Sequence, residues 1–291
     1  MILYFTLGVL FAILLPIRGH HCGKLRESHL YNRNEITAPD EYTWIGRVGY
    51  IYENRTEFKC FSVLIHQRYA VLNAHCIRGG TAALILFGDW RENEDITVGD
   101  CLVEGMTAQC SPRPQMVDIE ELVVHPKYDG QYDYNIGLAK LEKNVELSDF
   151  VQPICLPPAG ESEGNHIAQR LEMAGFRRPL REGDPVDKDG EWRRKVQVHT
   201  TSMDFCRSLG KNGWPNLTQN YLCALGKEEK TLYFGSPLMG IEVVDGKPRN
   251  FYLVGLPATI QLLGHPSYLS LHLFTSILPF RNWILKNMDL D

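Results

Sequence analysis

Apolar residues along the chain come in short runs, broken by polar positions and by glycine- and proline-bearing turns. Phe61-Ser62-Val63-Leu64-Ile65 and Ala83-Leu84-Ile85-Leu86-Phe87 are nearly continuous, as is Phe251-Tyr252-Leu253-Val254-Gly255-Leu256. Ile136-Gly137-Leu138-Ala139-Lys140-Leu141 is interrupted by a lysine. Runs of this length, bounded by turn formers, predict many short β-strands. The spacing changes near the end: Ile277 to Met288, with Trp283 and Ile284, carries the period of a helix. Arg177 to Trp192, rich in charge, Gly and Pro, predicts a surface loop. Internal repeats and low-complexity tracts are absent.

The first stretch, Met1 to Ile17, is almost wholly apolar and gives way to Pro16-Ile17-Arg18-Gly19-His20. It predicts a secretory signal peptide over 1–19, followed by a leader over 20–30 with a single cysteine, Cys22. Asn54-Arg55-Thr56 and Asn216-Leu217-Thr218 fit the glycosylation acceptor pattern, which agrees with export. The expected location is therefore extracellular, with no membrane span after signal cleavage.

Composition narrows the function classes. The chain has 291 residues, 44% hydrophobic and 22% charged, with a formal net charge of −5. That profile suits one large globular domain and gives no support to nucleic-acid binding. Arg193-Arg194-Lys195 is short and preceded by acids, and predicts a solvated loop. Eight cysteines, an even number, suit an extracellular disulfide framework. No Cys-x-x-Cys and no cysteine/histidine cluster of zinc spacing occurs, so neither a metal nor a cofactor is expected.

Three stretches carry a family resemblance. They are Val71-Leu72-Asn73-Ala74-His75-Cys76, then Val124-His125-Pro126-Lys127-Tyr128 with Tyr134-Asn135-Ile136-Gly137-Leu138, then Gln152-Pro153-Ile154-Cys155-Leu156-Pro157. In this order and spacing the chain resembles the chymotrypsin/trypsin family over nearly all of its length after the first thirty residues. The resemblance implies an all-β fold of two six-stranded antiparallel β-barrels with a C-terminal helix, filling a single domain over 31–291. It also implies the pairings Cys60–Cys76, Cys101–Cys110, Cys206–Cys223 and Cys22–Cys155, the last tying the leader to the domain. The bridge that usually braces the family's specificity pocket lacks both partners, and Lys230 stands where one would be. Cys101–Cys110 resembles a loop bridge of arthropod clip-type proteases, although the chain leaves no room upstream for a six-cysteine clip domain.

The same resemblance implies that the chemistry is gone. The stretch where the family carries Gly-Asp-Ser-Gly-Gly-Pro reads Leu232-Tyr233-Phe234-Gly235-Ser236-Pro237. Phe234 falls on the nucleophile, and a phenyl ring has no lone pair to attack a carbonyl. His75 is retained, but Asn135 stands at the aspartate position and brings no charge. Leu232 occupies the glycine that shapes the oxyanion turn, where a branched side chain resists positive φ. Tyr31 occupies the new N-terminus of an activated enzyme, and Tyr233 replaces its aspartate partner. Cleavage at Arg26 or Arg33 would yield the wrong N-terminus. His272 and Ala258-Thr259-Ile260 fall on the pocket walls, so no basic specificity can be assigned to Glu228.

These readings lead to a secreted, catalytically inactive serine protease homologue. Its expected partners are extracellular proteases, zymogens or their substrates, in a proteolytic cascade of the arthropod immune kind; oligomerisation is left open. The alternative is a weak serine hydrolase using Ser236 and His75, with Asp133 to orient the ring. A third is a binder of carbohydrate or microbial surfaces, which no concentrated aromatic or basic patch supports.

Overall fold

A computed structural model describes residues 22–290, except 54, 79–80, 93–94, 163–165, 178–190, 211–217, 228–231 and 266. The expected signal peptide, both glycosylation candidates, Glu228 and Lys230 lie outside the described residues.

Two closed barrels make up the body. The first is built from β1 (Ile45–Tyr52), β2 (Arg55–His66), β3 (Tyr69–Leu72), β4 (Ala82–Phe87), β7 (Gln115–Val124) and β8 (Gly137–Leu141), in the spatial order β1-β2-β3-β8-β7-β4. Between β4 and β7, a separate hairpin pairs β5 (Cys101–Glu104) with β6 (Thr107–Cys110). The second barrel uses β9 (Arg170–Gly175), β10 (Arg194–Thr201), β11 (Tyr221–Lys227), β12 (Leu238–Val244), β13 (Lys247–Gly264) and β14 (Leu269–Ser276), ordered β10-β11-β14-β13-β12-β9. Closing each sheet on itself removes free edges along most of the strands.

The apolar runs become the barrel interiors. Phe61 to Ile65 is buried throughout within β2, and Ile85, Leu86 and Phe87 line β4. Phe251 to Leu256 forms the buried part of β13. The helices among the described residues are short: α2 (Ala74–Arg78) follows β3, and α3 (Met203–Leu209) starts at Ser202, whose hydroxyl accepts from the Phe205 N–H. The C-terminal helix is present but shorter than its spacing predicts. A single 3-10 turn, Leu278–Phe280, leads into α4 (Arg281–Lys286). Four disulfides join Cys22 to Cys155, Cys60 to Cys76, Cys101 to Cys110 and Cys206 to Cys223.

The leader is held tightly. Gly23 donates to the Pro153 carbonyl and accepts from the Phe251 N–H, beside Cys22–Cys155. A single helical turn, α1 (Glu27–Leu30), follows.

One sequence expectation is overturned. Arg193-Arg194-Lys195 is not a solvated loop: Arg193 is 0% exposed, Lys195 is buried, and Arg194 begins β10. The reason is polar compensation. Arg193 donates to the Thr37 hydroxyl and to the carbonyls of Ala38, Pro39 and Asp89. Lys195 Nζ lies 2.6 Å from Glu41 Oε1. Buried cations are tolerated when each donor finds an acceptor. Beside them Trp192 is buried and packs edge-to-face on Trp90, while most of the predicted loop, 178–190, lies outside the described residues.

Candidate functional site

The start of α2 carries His75, and its position is fixed twice. Cys60–Cys76 ties the helix to β2, and the Tyr50 hydroxyl donates to the Cys76 carbonyl at 2.6 Å. Asn135 is fully buried just before β8. Its backbone carbonyl accepts from Asn73 Nδ2 at 3.4 Å and from the Thr275 hydroxyl at 3.5 Å, so both barrels hold it. Asn73 also donates to the Pro257 carbonyl in β13. Neither Asn73 nor Thr275 is singled out from sequence, although Asn73 sits inside a stretch that carries the family resemblance.

The Asn135 amide sets the histidine tautomer. The His75 backbone N–H donates to Asn135 Oδ1 at 3.1 Å, which turns the Nδ2 amine toward His75 Nδ1, also 3.1 Å away. An amine only donates, so Nδ1 must accept and the ring proton sits on Nε2. That nitrogen faces the disulfide sulfur of Cys76 at 3.5 Å. A general base for a serine needs the opposite arrangement, with Nδ1 protonated and Nε2 bare.

Opposite the ring stands Phe234. Its ring meets His75 edge-on, with centroids 4.9 Å apart and planes at 82°. The turn that presents it is bound to the first barrel: the Phe61 N–H donates to the Phe234 carbonyl at 3.0 Å. Gly235 has a φ of +90°, and a Cβ there would lie 2.0 Å from the Phe61 carbonyl oxygen, so no other residue fits. Leu232 does not adopt positive φ; it is buried and bridges to Arg177. Tyr233 donates its N–H to Phe176 and packs its ring on Phe61, while Tyr31 is 79% exposed.

The alternative catalytic set is not brought together. Ser236 is 0% exposed and its hydroxyl has no hydrogen-bond partner. It packs against β9, where a Cβ on Gly175 would lie 2.1 Å from the Ser236 oxygen. The Asp133 carboxylate accepts from the Tyr134 N–H and from Asn220 Nδ2, while His75 Nδ1 is occupied by Asn135.

On the pocket side, His272 is 1% exposed and lies against Gly226 of β11. Its Nε2 is 2.7 Å from the Ser270 hydroxyl, and its Nδ1 has no partner. Burial pushes its pKa down to about 4, so the ring is neutral at ordinary pH. β13 and β14 stay paired through Thr259–Leu273, Ile260–His272 and on to Gly264–Leu269. Cys60, His75 and Cys76 place metal-type donors close together, but the two sulfurs are spent in a disulfide and offer no thiolate.

Comparison with known proteins agrees with the fold. A family model described as Trypsin matches residues 37–236. The chain is 28% identical to phenoloxidase-activating factor 1 of Holotrichia diomphalia over 292 aligned residues, covering 94% of this chain and 73% of that protein. It is 25% identical to melanization protease 1 of Drosophila melanogaster, covering 94% and 69% of the two chains. Among solved structures, the Drosophila Grass clip serine protease of the Toll pathway superposes with a TM-score of 0.72 at 21% identity, over 92% of this chain and 75% of that one. At that identity the likeness speaks for the fold.

Proposed function

The chain belongs to the trypsin family, and from that premise we propose that it is a non-catalytic member, acting as an adaptor or cofactor in an extracellular proteolytic cascade. The observation that carries this reading is Phe234 edge-on to His75 at 4.9 Å. A hydrocarbon ring occupies the place from which a hydroxyl would attack. The retained imidazole holds its proton on the nitrogen that would have to receive one. With nucleophile, tautomer and oxyanion turn all altered, little transition-state stabilisation is left. Retention of both barrels, all four disulfides and a rigid inter-barrel seam keeps a surface of protease shape without turnover.

The relatives supply the setting. Proteins named for phenoloxidase activation and for melanization align over most of this chain, which supports insect defence proteolysis as the context. Partners are then proteases, their zymogens or their substrates. Among the described residues no helix is long and apolar enough to cross a membrane. With the signal-like first segment and the disulfide framework, this supports an extracellular location.

The test is fluorophosphonate labelling of the purified protein with active trypsin alongside, together with a peptide hydrolysis assay. The expected outcome is no adduct and no hydrolysis. Hydrolysis abolished by His75→Ala, or an adduct mapped to Ser236, would overturn the non-catalytic reading. Crosslinking in insect haemolymph checks the adaptor role, which fails if no protease, zymogen or protease substrate is recovered.

A further inference from the structure

We propose that the groove between the leader and the outer face of the second barrel binds a sulfated polysaccharide of the glycosaminoglycan kind. The site goes beyond the non-catalytic reading and does not rest on it; an active enzyme could carry the same groove.

Strand register builds the floor. Along β10, Val196 and Val198 point into the core of the second barrel, so Gln197 and His199 face outward. His199 pairs with Arg170 of β9 on one side and with Leu225 of β11 on the other. Lys227 lies two residues beyond Leu225, on the same face. The leader supplies the wall. After α1 ends at Leu30, residues 31–35 run to β10, where the Glu35 carbonyl accepts from the Lys195 N–H at 2.9 Å. Between floor and wall lies a cleft of about 900 Å³, with Tyr31 and Arg33 among its lining residues.

Charge decides what the cleft can hold. Arg33, Arg170, His199 and Lys227 are exposed, and their side chains make no ion pair or hydrogen bond among the described residues. The acids beside them are already engaged. Glu35 faces Arg194 at 3.9 Å. Arg170 attracts Glu172, yet that carboxylate also accepts from the buried Tyr42 hydroxyl. Lys195 is balanced by Glu41, 2.6 Å away. Three permanent cations, Arg33, Arg170 and Lys227, therefore share one concave surface, and their summed field concentrates an anionic ligand there. They come from separate segments of the chain, so no basic patch shows in the sequence.

Backbone pairing favours a glycan over an acidic peptide. One edge of β10 is taken by β9 along Arg194–His199. The other is taken by the leader at Arg194 and Lys195, and by β11 from His199 onward. Only 196–198 stay open on that edge, too short a stretch for an extended peptide to add a strand. A sulfated glycan needs no edge, because its sulfate oxygens accept directly from guanidinium and ammonium groups. The exposed Tyr31 ring adds an apolar surface on which a sugar ring can lie. Such polymers are extracellular, the compartment that the disulfide framework indicates.

The experiment is isothermal titration of the oxidised, secreted protein with a defined heparin oligosaccharide. Binding is expected at low salt and should weaken steeply as salt rises. Arg170→Gln combined with Lys227→Gln should weaken it about tenfold. The thermal midpoint should stay unchanged, because both side chains are exposed. Lys127→Gln combined with Lys286→Gln removes the same charge near α4 and should leave binding intact. Unaltered binding in the groove variant, or equal losses in the two variants, would overturn the proposal. So would equal binding of desulfated heparin. A polyglutamate peptide that competes at the same charge concentration would also overturn it, and would make the groove an acidic-peptide site.

Discussion

Two regions join the barrels, and they treat charge in opposite ways. Around Arg193 the seam is ionic: Arg193, Lys195, Glu41, Arg47 and Asp89 are all buried, and Arg47 Nη1 lies 2.5 Å from Asp89. Around His75 the seam is neutral, with Asn135, Phe234 and Tyr233 filling positions where the family resemblance implies acids or a nucleophile. Burying a charge costs several kcal/mol unless its partners are well placed. Where the charge organises the chain's path, as Glu41 does by accepting from Ala38, Asn32 and Lys195, it has been kept. Where the family resemblance implies a catalytic charge, Asn135 and Tyr233 stand instead, so no charge has to be desolvated there. The contrast supports a fold kept for shape.

The largest break in that contrast comes from the ionic seam. Arg193→Met removes donors from the Thr37 hydroxyl and from the carbonyls of Ala38, Pro39 and Asp89, leaving buried acceptors unpaired. The expected loss is about 3–5 kcal/mol in urea unfolding of the oxidised protein. A loss below about 1 kcal/mol would show that the ionic seam is slack and the comparison empty.

Acid attacks a neutral group inside the second barrel instead, by forcing charge onto the buried His272 ring. His272 has a folded pKa of about 4, below an unfolded value of about 6.5. Above 6.5 the ring is neutral in both states and contributes no pH dependence. As pH falls from 6.5 to 4 the unfolded chain takes up the proton first, so stability drops across that window. The accumulated loss is about 3 kcal/mol at pH 4 and below. Urea unfolding at pH 7, 5.5 and 4.5 should show it, and His272→Leu should flatten the slope over that interval. An unchanged slope in the variant would place the acid sensitivity elsewhere.

The two regions were also unequally legible in the sequence. The barrels could be read from apolar runs such as Phe61 to Ile65, because a strand buried on both faces needs little else. His75, Asn135 and Phe234 could be located because each lies in a segment whose spacing to a cysteine or proline is short. Arg193 and Glu41 could not. They are 152 residues apart in the chain, and a basic triplet preceded by acids looks the same whether water or a distant backbone accepts its hydrogen bonds. The tautomer of His75 was equally out of reach, since it depends on which way one amide faces. Gly235 was visible as a letter, but its need for positive φ comes from the Phe61 carbonyl, 174 residues away in the chain.

The smallest stability effect gives the sharpest reading of the neutral seam. Asn135→Asp changes one amine to an oxygen at a site whose other bonds, from Asn73 and Thr275, go to the backbone carbonyl and are untouched. Stability should move by no more than about 1 kcal/mol, because the new carboxylate keeps the His75 backbone N–H and gains a ring N–H as donors. The ring is what changes. Two acceptor oxygens now face the His75 backbone N–H and Nδ1, so Nδ1 must donate and the proton leaves Nε2. Nitrogen-15 NMR of the imidazole should report Nε2–H in the native protein and Nδ1–H in the variant. Peptide hydrolysis should stay at background in both, since Phe234 still fills the place of the hydroxyl. If the native ring already carries its proton on Nδ1, the amide faces the other way and the seam is closer to catalytic than its neutral composition implies. If the tautomer switches and hydrolysis stays absent, the histidine has recovered its orientation with nothing left to activate.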